Sequence, residues 1–172
     1  MRMREAFSSG FTEVCVAEIP ILFLDFDGVL HPVGEPALDE DFRLIENPGL
    51  FVWRPVLEEL LAPYPAVRII VSSDWRRLFD DATLIRLLGP LGNRFVGVVE
   101  SQGSCRAEEI LTEVRRRNLA HWLAVDDHPS VLAAQAGDHR FIACDSARGL
   151  SEIAVRRALS ERLSALPGKS VR

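Results

Sequence analysis

Residues 19–30 read as a buried strand that ends at two carboxylates, Asp25 and Asp27, with one phenylalanine between them. An apolar run without polar alternation is typical of a strand in a parallel sheet that is covered on both faces. Ligands of such sheets collect at the carboxyl ends of the strands, so the two carboxylates are predicted to lie in a functional site. Gly28 follows and lets the chain turn sharply.

The same Asp-x-Asp-Gly pattern opens calcium-binding loops, in which further acidic residues and a bidentate Glu complete the site. After Gly28 the chain continues with Val29, Leu30, His31 and Pro32, so those later oxygen ligands are missing. A purely structural pair is also disfavoured, because two adjacent buried anions repel each other unless a cation or a proton is present. The pair instead indicates a site that binds a hard cation or attacks an electrophilic phosphorus.

Length and composition favour one domain over residues 1–172, with its core at about 19–165, because 172 residues with 48% apolar side chains can bury a sizeable core. The formal charge of −5 argues against a generally basic nucleic-acid-binding surface. No apolar stretch has the length of a membrane span, so we expect a cytoplasmic protein with no membrane partner. The three widely spaced cysteines, Cys15, Cys105 and Cys144, are predicted to be reduced thiols.

Apolar strand candidates alternate with helical patterns along the chain, which predicts an α/β fold around a parallel sheet. The strands are predicted near 20–26, 67–72, 94–99, 122–126 and 140–144. The helices are predicted near 54–62, 80–89, 105–118 and 149–165. The third helix has an apolar face that contains Ile110, and Glu109 is predicted to lie away from it. Residues 31–52 lack a clear period and are predicted to form a loop or small flap.

Two later strands also end in polar groups. Ser72 and Ser73 could hold a phosphoryl oxygen, although a serine after a strand is also an ordinary helix N-cap. Asp126 and Asp127 end another strand as a second acidic pair. Because parallel strands present their carboxyl ends at one edge, all these groups are expected to lie close to the first carboxylate pair. Such a dense anionic cluster requires a divalent cation, and an all-oxygen ligand set favours Mg²⁺ over zinc.

Three further residues near these strand ends have two interpretations each. Arg106 begins a predicted helix and could neutralise phosphate charge, or it could be a surface arginine. His128 could extend the site or start a turn, since hard cations seldom take imidazole ligands. Trp75 is interpreted as a packing residue rather than a base-stacking one.

In this order, the residues resemble the motifs of the haloacid dehalogenase-like superfamily of phosphotransferases. The similar segments are Asp25-Phe26-Asp27-Gly28-Val29, Ser72 or Ser73, Arg106 in place of the commoner lysine, and Asp126-Asp127. Within the superfamily, the segments Ser-Ser-Asp-Trp-Arg and Leu-Ala-Val-Asp-Asp look most like the phosphatase-like domains of Swiss-army-knife RNA repair proteins. The resemblance implies a three-layer, Rossmann-like parallel sheet of the HAD type with a minimal cap or none.

The resemblance also implies a mechanism, in which Asp25 attacks phosphorus to form an aspartyl-phosphate. Asp27 would protonate the leaving alcohol and then activate water, which favours phosphate-ester hydrolysis over dehalogenation. Mg²⁺ would be held by the carboxylates of Asp25 and Asp126 and the backbone carbonyl of Asp27, and by Asp127 directly or through water. The transferring oxygens would be bound by the remaining motif residues, Ser72 or Ser73 and Arg106.

Two other functions stay open at this stage. A non-catalytic phosphate- or partner-binding module is disfavoured by the complete acidic motifs. A phosphotransferase that uses a second alcohol normally needs a cap that excludes water, and the flap at 31–52 is short for one. An open site suits a phosphorylated substrate that is bulky, such as a nucleic-acid end, but also a protein phosphate or a small metabolite. Either the pair Arg76 and Arg77 or His31 is expected on the rim of that site.

Overall fold

The structure is a computed structural model, and it describes residues 18–168. Five strands form its centre, and each coincides with one of the predicted strands: β1 (Ile21–Leu24), β2 (Arg68–Val71), β3 (Phe95–Val98), β4 (Trp122–Asp126) and β5 (Phe141–Ala143). They form one sheet in the order β3-β2-β1-β4-β5, and every neighbouring pair is parallel. The first strand therefore lies in the middle, as its unbroken apolar sequence predicts.

Five α-helices connect or follow the strands: α1 (Arg54–Leu61), α2 (Asp81–Leu88), α3 (Arg106–Arg116), α4 (Pro129–Gln135) and α5 (Ile153–Ser164). Short 3-10 helices lie at Asp74–Arg77, Gly89–Arg94 and Gly149–Ser151. The four predicted helices are confirmed, except that the last is divided into a 3-10 turn and α5. Helix α4 was not predicted, because seven residues that begin with a proline give too few turns for a clear apolar period.

The helices cover both faces of the sheet and make three layers. Alternate β1 side chains, Leu22 and Leu24, pack on the face that carries α1, α2 and α5. The intervening Ile21 and Phe23 pack on the other face, against residues of α3 and α4. This arrangement confirms the predicted three-layer α/β fold, in which the carboxyl ends of all five strands lie at one edge.

The connection from β1 to α1 contains residues 31–52, where an insertion would cover that edge. Within this range the structure has no helix and no extended strand, and one isolated antiparallel bridge joins Leu38 to Leu44. The fold therefore carries no more than a minimal cap at this position, as predicted.

Two predictions from composition can be compared with the structure. None of the helices between residues 18 and 168 combines the length and the apolar character that crossing a bilayer requires. Cys105 and Cys144 are free and partly buried, which agrees with the predicted reduced thiols. Cys15 lies outside the described residues.

Candidate active site

Asp25 follows β1 directly, and its carboxylate is buried at the edge of the sheet. The backbone N–H of Phe26 donates to Asp25 Oδ1 at 2.8 Å. Burial, and next the negative charge of Asp126, raise the pKa of Asp25 well above its usual range, while Arg106 and a hydrogen bond from Ser73 act in the opposite direction. A carboxylate in these surroundings ionises readily only when additional positive charge is close to it.

Asp27 lies two residues further on in different surroundings, because 40% of its side chain is exposed. The indole Nε1 of Trp75 donates to Asp27 Oδ2 at 2.7 Å, and His31 Nε2 lies 3.1 Å from Asp27 Oδ1. Partial burial acts to raise the pKa of Asp27, but the hydrogen bonds with His31 and Trp75 outweigh it, so the pKa is lowered. The two carboxylates of one motif thus have pKa values that are shifted in opposite directions, as expected of groups with separate roles.

Ser72 and Ser73 end β2 beside the first carboxylate pair. The Ser72 N–H donates to the Leu24 carbonyl at 2.9 Å, which places Ser72 next to Asp25 in the sheet. Both serine side chains are buried, and within residues 18–168 the Ser72 hydroxyl has no hydrogen-bond partner. Ser73 is the N-cap of the following 3-10 helix and accepts from the Trp75 N–H at 3.4 Å. The Ser72 hydroxyl is thus enclosed and unpartnered among the described residues, whereas the Ser73 side chain forms a hydrogen bond with Asp25.

Asp126 and Asp127 end β4 on the other side of β1. Asp126 is fully buried, its Oδ1 accepts from the His128 N–H at 2.9 Å, and its Oδ2 accepts from Arg106 Nη1 at 2.8 Å. Burial raises the pKa of Asp126, and the charge of Arg106 acts against that shift. One carboxylate oxygen from each of Asp25, Asp126 and Asp127 lies within 4.8 Å of the others. The predicted convergence of these strand ends is therefore present in the geometry.

The residues of this cluster fit a magnesium ion. All three side chains are carboxylates, which are the hard oxygen ligands that Mg²⁺ prefers. Gly28, with φ of +68°, leaves the room that Asp127 occupies, because a Cβ at this glycine would lie 2.1 Å from Asp127 Oδ2. The Asp27 carboxylate does not belong to the cluster, so any contribution of Asp27 to the ion would have to come from its backbone, as the resemblance implies.

Arg106 is the first residue of α3, and its buried guanidinium reaches into the same cluster. Its Nη1 lies 3.6 Å from Asp25 Oδ1 as well as 2.8 Å from Asp126 Oδ2, and its Nη2 lies 3.3 Å from Asp74 Oδ1. Burial acts to lower the pKa of Arg106, but the nearby carboxylates outweigh this effect and the pKa is raised, so the side chain stays charged. An arginine fits this place because its planar fork can contact several acceptors at once.

Two predicted positions are wrong in this structure. Arg76 and His31 were expected on the rim, but the Arg76 side chain is 4% exposed and His31 is fully buried. Of the three residues considered for the rim, only Arg77 is accessible, with 58% of its side chain exposed. Glu109 lies away from the apolar face of α3, as predicted, but it is buried, because it forms ion pairs with Arg76 at 2.8 Å and Arg77 at 2.9 Å. A helical pattern alone could not reveal this, since it treats every glutamate as a surface residue.

Two residues with open interpretations are also placed. Trp75 packs in the core, as predicted, but its hydrogen bond to Asp27 had no signal in the sequence. His128 begins α4 as its N-cap, where its Nδ1 accepts from the Ser130 N–H at 3.1 Å. His128 also lines a polar cavity of about 230 Å³ beside Arg106. The position of His128 is therefore compatible both with a contact to the site and with a role at the start of a helix.

Comparison with protein families agrees with this geometry. The family described as the HAD domain in Swiss Army Knife RNA repair proteins matches residues 21–155, which is more than three quarters of the chain. No curated protein and no solved structure matches the chain. The matched range begins with β1 and ends in α5, so it contains all five strands and every residue of the acidic cluster. The chain therefore belongs to the haloacid dehalogenase-like family of HAD domains found in Swiss Army Knife RNA repair proteins.

Proposed function

We propose that the protein is a magnesium-dependent phosphate-ester hydrolase that acts through an aspartyl-phosphate on Asp25. The observation that carries the proposal is the contrast between Asp25, buried within the acidic cluster, and Asp27, which lies outside it with 40% of its side chain exposed. The first is suited to nucleophilic attack beside a cation, and the second to proton exchange. Haloacid dehalogenase-like domains are generally phosphatases, which supports the same function.

The cation would be held by the carboxylates of Asp25, Asp126 and Asp127, with the Asp27 carbonyl as a further oxygen by resemblance. When bound, Mg²⁺ supplies positive charge that offsets the repulsion between these carboxylates and a phosphate dianion. Arg106 supplies a second, permanent positive charge at the same place.

In the first step, a carboxylate oxygen of Asp25 attacks phosphorus, and the bond between phosphorus and the leaving oxygen breaks. Asp27 gives its proton to that leaving oxygen. The guanidinium of Arg106 and the hydroxyl of Ser72 or Ser73 would stabilise the charge on the transferring oxygens. The lowered pKa of Asp27 opposes proton donation, but an approaching phosphate dianion acts in the other direction because like charges favour the protonated carboxyl.

In the second step, a water molecule attacks the phosphorus of the aspartyl-phosphate and passes its proton to Asp27. The bond between phosphorus and the Asp25 oxygen breaks, inorganic phosphate leaves, and Asp25 is restored as a carboxylate and Asp27 as a protonated carboxyl. A lowered pKa suits Asp27 to this role as a base. Residues 31–52 contain no helix or extended strand that could form a large cap, and a site without such a cap favours hydrolysis over transfer to a second alcohol.

An open site also favours a bulky phosphorylated substrate, and we include nucleic-acid ends in this class. The description of the matching family names RNA repair proteins, which supports a test of such ends. The exposed guanidinium of Arg77 and the polar cavity beside Arg106 offer contacts to the part of the substrate that carries the phosphate. Phosphorylated metabolites and protein phosphates fit the same site chemistry.

The test is a screen of phosphorylated metabolites together with 3′- and 5′-phosphorylated oligonucleotides, with Mg²⁺ and with a chelator. We expect magnesium-dependent release of phosphate from at least one class, and none from the matched variant Asp25→Asn, which keeps the shape of the side chain but cannot attack phosphorus. Full activity in chelator, or substantial turnover by Asp25→Asn, would contradict the proposal. Binding of phosphate esters without any turnover would instead indicate a non-catalytic binding module.

A further inference from the structure

Two ring N–H groups hold the Asp27 carboxylate, and the mechanism above does not use either of them. Trp75 Nε1 donates to Asp27 Oδ2 at 2.7 Å, and His31 Nε2 lies 3.1 Å from Asp27 Oδ1. When Asp27 is ionised its carboxylate can only accept, so in that state Nε2 of His31 carries the hydrogen in this contact. Each carboxylate oxygen therefore has its own donor, and two donors on two oxygens fix the plane of the carboxylate.

The two donors are themselves held in place by an aromatic cluster, formed by Phe26, His31, Phe51 and Trp75. The His31 ring lies 5.1 Å from Phe51 and 5.8 Å from Trp75, and Trp75 lies 5.5 Å from Phe51, measured between ring centroids. All four residues are buried. Rings that are packed on several sides cannot change rotamer without disturbing the core, so the donors are rigid.

A second buried tryptophan shows that this contact is not a general requirement of the core. The indole N–H of Trp122 is also buried, and it has no hydrogen-bond partner among residues 18–168. Trp122 packs edge-on against Phe23 and Phe141, much as Trp75 packs in the aromatic cluster. The two tryptophans differ in whether the indole N–H contacts a carboxylate, and Arg140 also stacks on the Trp122 ring at 4.4 Å. Trp122 is therefore a control for the change of a buried tryptophan to phenylalanine that leaves Asp27 untouched.

We infer that Trp75 and His31 are positioning residues that hold Asp27 in the orientation needed for proton transfer to and from the scissile oxygen. The inference rests on the proposed phosphatase function. Proton transfer requires the carboxylate to stay within hydrogen-bond reach of the leaving oxygen, and small displacements of a reacting group are costly. The Asp27 side chain is 40% exposed, so without these donors it is free to turn toward solvent.

The test compares Trp75→Phe with Trp122→Phe on an alkyl phosphate and an aryl phosphate. An alkyl leaving group needs protonation and an aryl one needs little, so Trp75→Phe should lower kcat for the alkyl ester roughly 10- to 100-fold. The aryl ester should lose less than about threefold, and KM should stay close to that of the wild type for both. Trp122→Phe should leave the ratio of the two rates unchanged.

A second pair of variants tests the other donor without changing the tryptophan. His31→Gln keeps an N–H at a similar reach and should retain much of the alkyl-ester activity, whereas His31→Phe keeps only the ring and should lose it. Equal losses on both esters for Trp75→Phe, the same ester dependence in Trp122→Phe, or equal activities of His31→Gln and His31→Phe would overturn the inference. The His31 pair decides the question if Trp75→Phe does not fold.

An NMR measurement separates this inference from the proposed function. If the wild type hydrolyses neither ester, the proposed function fails, and the indole N–H resonance of Trp75 still reports the contact. Asp27→Asn should shift the Trp75 indole resonance and leave that of Trp122 in place. A Trp75 resonance that does not move would show that the indole does not hold Asp27.

Discussion

The guanidinium of Arg106 donates to Asp126 Oδ2 at 2.8 Å and lies 3.6 Å from Asp25 Oδ1. The first residue of α3 thus contacts carboxylates at the ends of two neighbouring strands, β1 and β4. Burial raises the pKa of both carboxyls, and Arg106 acts against that shift in both. The guanidinium therefore contributes twice, because it stabilises two buried anions and adds positive charge where a phosphate would bind.

Substitution of Arg106 should separate these contributions. Arg106→Met removes the charge and leaves Asp126 buried without its partner, so we expect a loss of about 3 kcal/mol in the free energy of unfolding without metal. Turnover should fall roughly 100-fold or more. Arg106→Lys keeps a charge but cannot reach Asp126, Asp25 and Asp74 together, so both quantities should be intermediate. Denaturant titrations and kcat/KM measure them. Indistinguishable Lys and Met variants would show that charge at this position is unimportant.

Magnesium should stabilise the folded protein through the acidic cluster. An ion that binds only the folded chain raises its stability by about 2.7 kcal/mol at a concentration of 100 times Kd. We expect Mg²⁺ to raise the Tm of the wild type and to have little effect on Asp126→Asn. Asp41→Asn, which changes an exposed acid in the 31–52 segment, is the control and should respond as the wild type does. Thermal melts with Mg²⁺ and with chelator measure the shift, and an undiminished shift in Asp126→Asn would place the ion elsewhere.

Arg76 and Arg77 are adjacent in the chain, but they should differ in their effect on stability. The Arg76 side chain is buried, donates to the carbonyls of Ser73 at 3.1 Å and Val99 at 3.0 Å, and pairs with Glu109. Arg76→Ala leaves these acceptors buried without partners, so we expect a loss of about 3 kcal/mol. Arg77→Ala should cost less than about 1 kcal/mol, because its pair with Glu109 is partly exposed to solvent. Urea unfolding of both variants is the measurement, and equal losses would refute the distinction.

Glu113 should make stability depend on pH on the acid side. Its buried carboxylate binds Arg116, Arg117 and Ser101. Burial acts to raise its pKa, but hydrogen bonds from these residues outweigh it and lower the pKa from 4.5 to about 2. A carboxyl whose pKa is lower in the folded state stabilises the protein at pH values above its unfolded pKa. This stabilisation is lost as the pH falls from the unfolded pKa to the folded pKa.

The free energy of unfolding should therefore decrease between pH 4.5 and about 2. Glu113→Gln should flatten this part of the curve, whereas Glu59→Gln, at an exposed position of α1, should not. Urea titrations at a series of pH values give both curves. Parallel curves for Glu113→Gln and the wild type would exclude Glu113 as the source.

The sequence was sufficient to predict the centre of the fold and the convergence of its polar strand ends at one edge of the sheet. β1 was recognisable because its apolar run has no polar alternation, and a parallel sheet necessarily brings strand ends such as Asp25, Ser72 and Asp126 to one edge. The buried partners of these residues were not predictable. A hydrophobicity pattern does not show which side-chain atoms Trp75 and His31 will contact, because their ring nitrogens come close to Asp27 only when the chain has folded.

Gly28 provides a direct test of the geometry around Asp127. Both Gly28 and Gly34 have positive φ, of +68° and +91°, so alanine should strain the backbone at either position by roughly 1 kcal/mol or more. A Cβ at Gly28 would also lie 2.1 Å from Asp127 Oδ2, whereas nothing lies within 4 Å of a Cβ at Gly34. Gly28→Ala should therefore displace Asp127 and lose most of the magnesium-induced rise in Tm and at least about tenfold in kcat. Gly34→Ala should keep both at a slightly lower Tm, and an equal magnesium response in the two variants would exclude Asp127 as a determinant of the site.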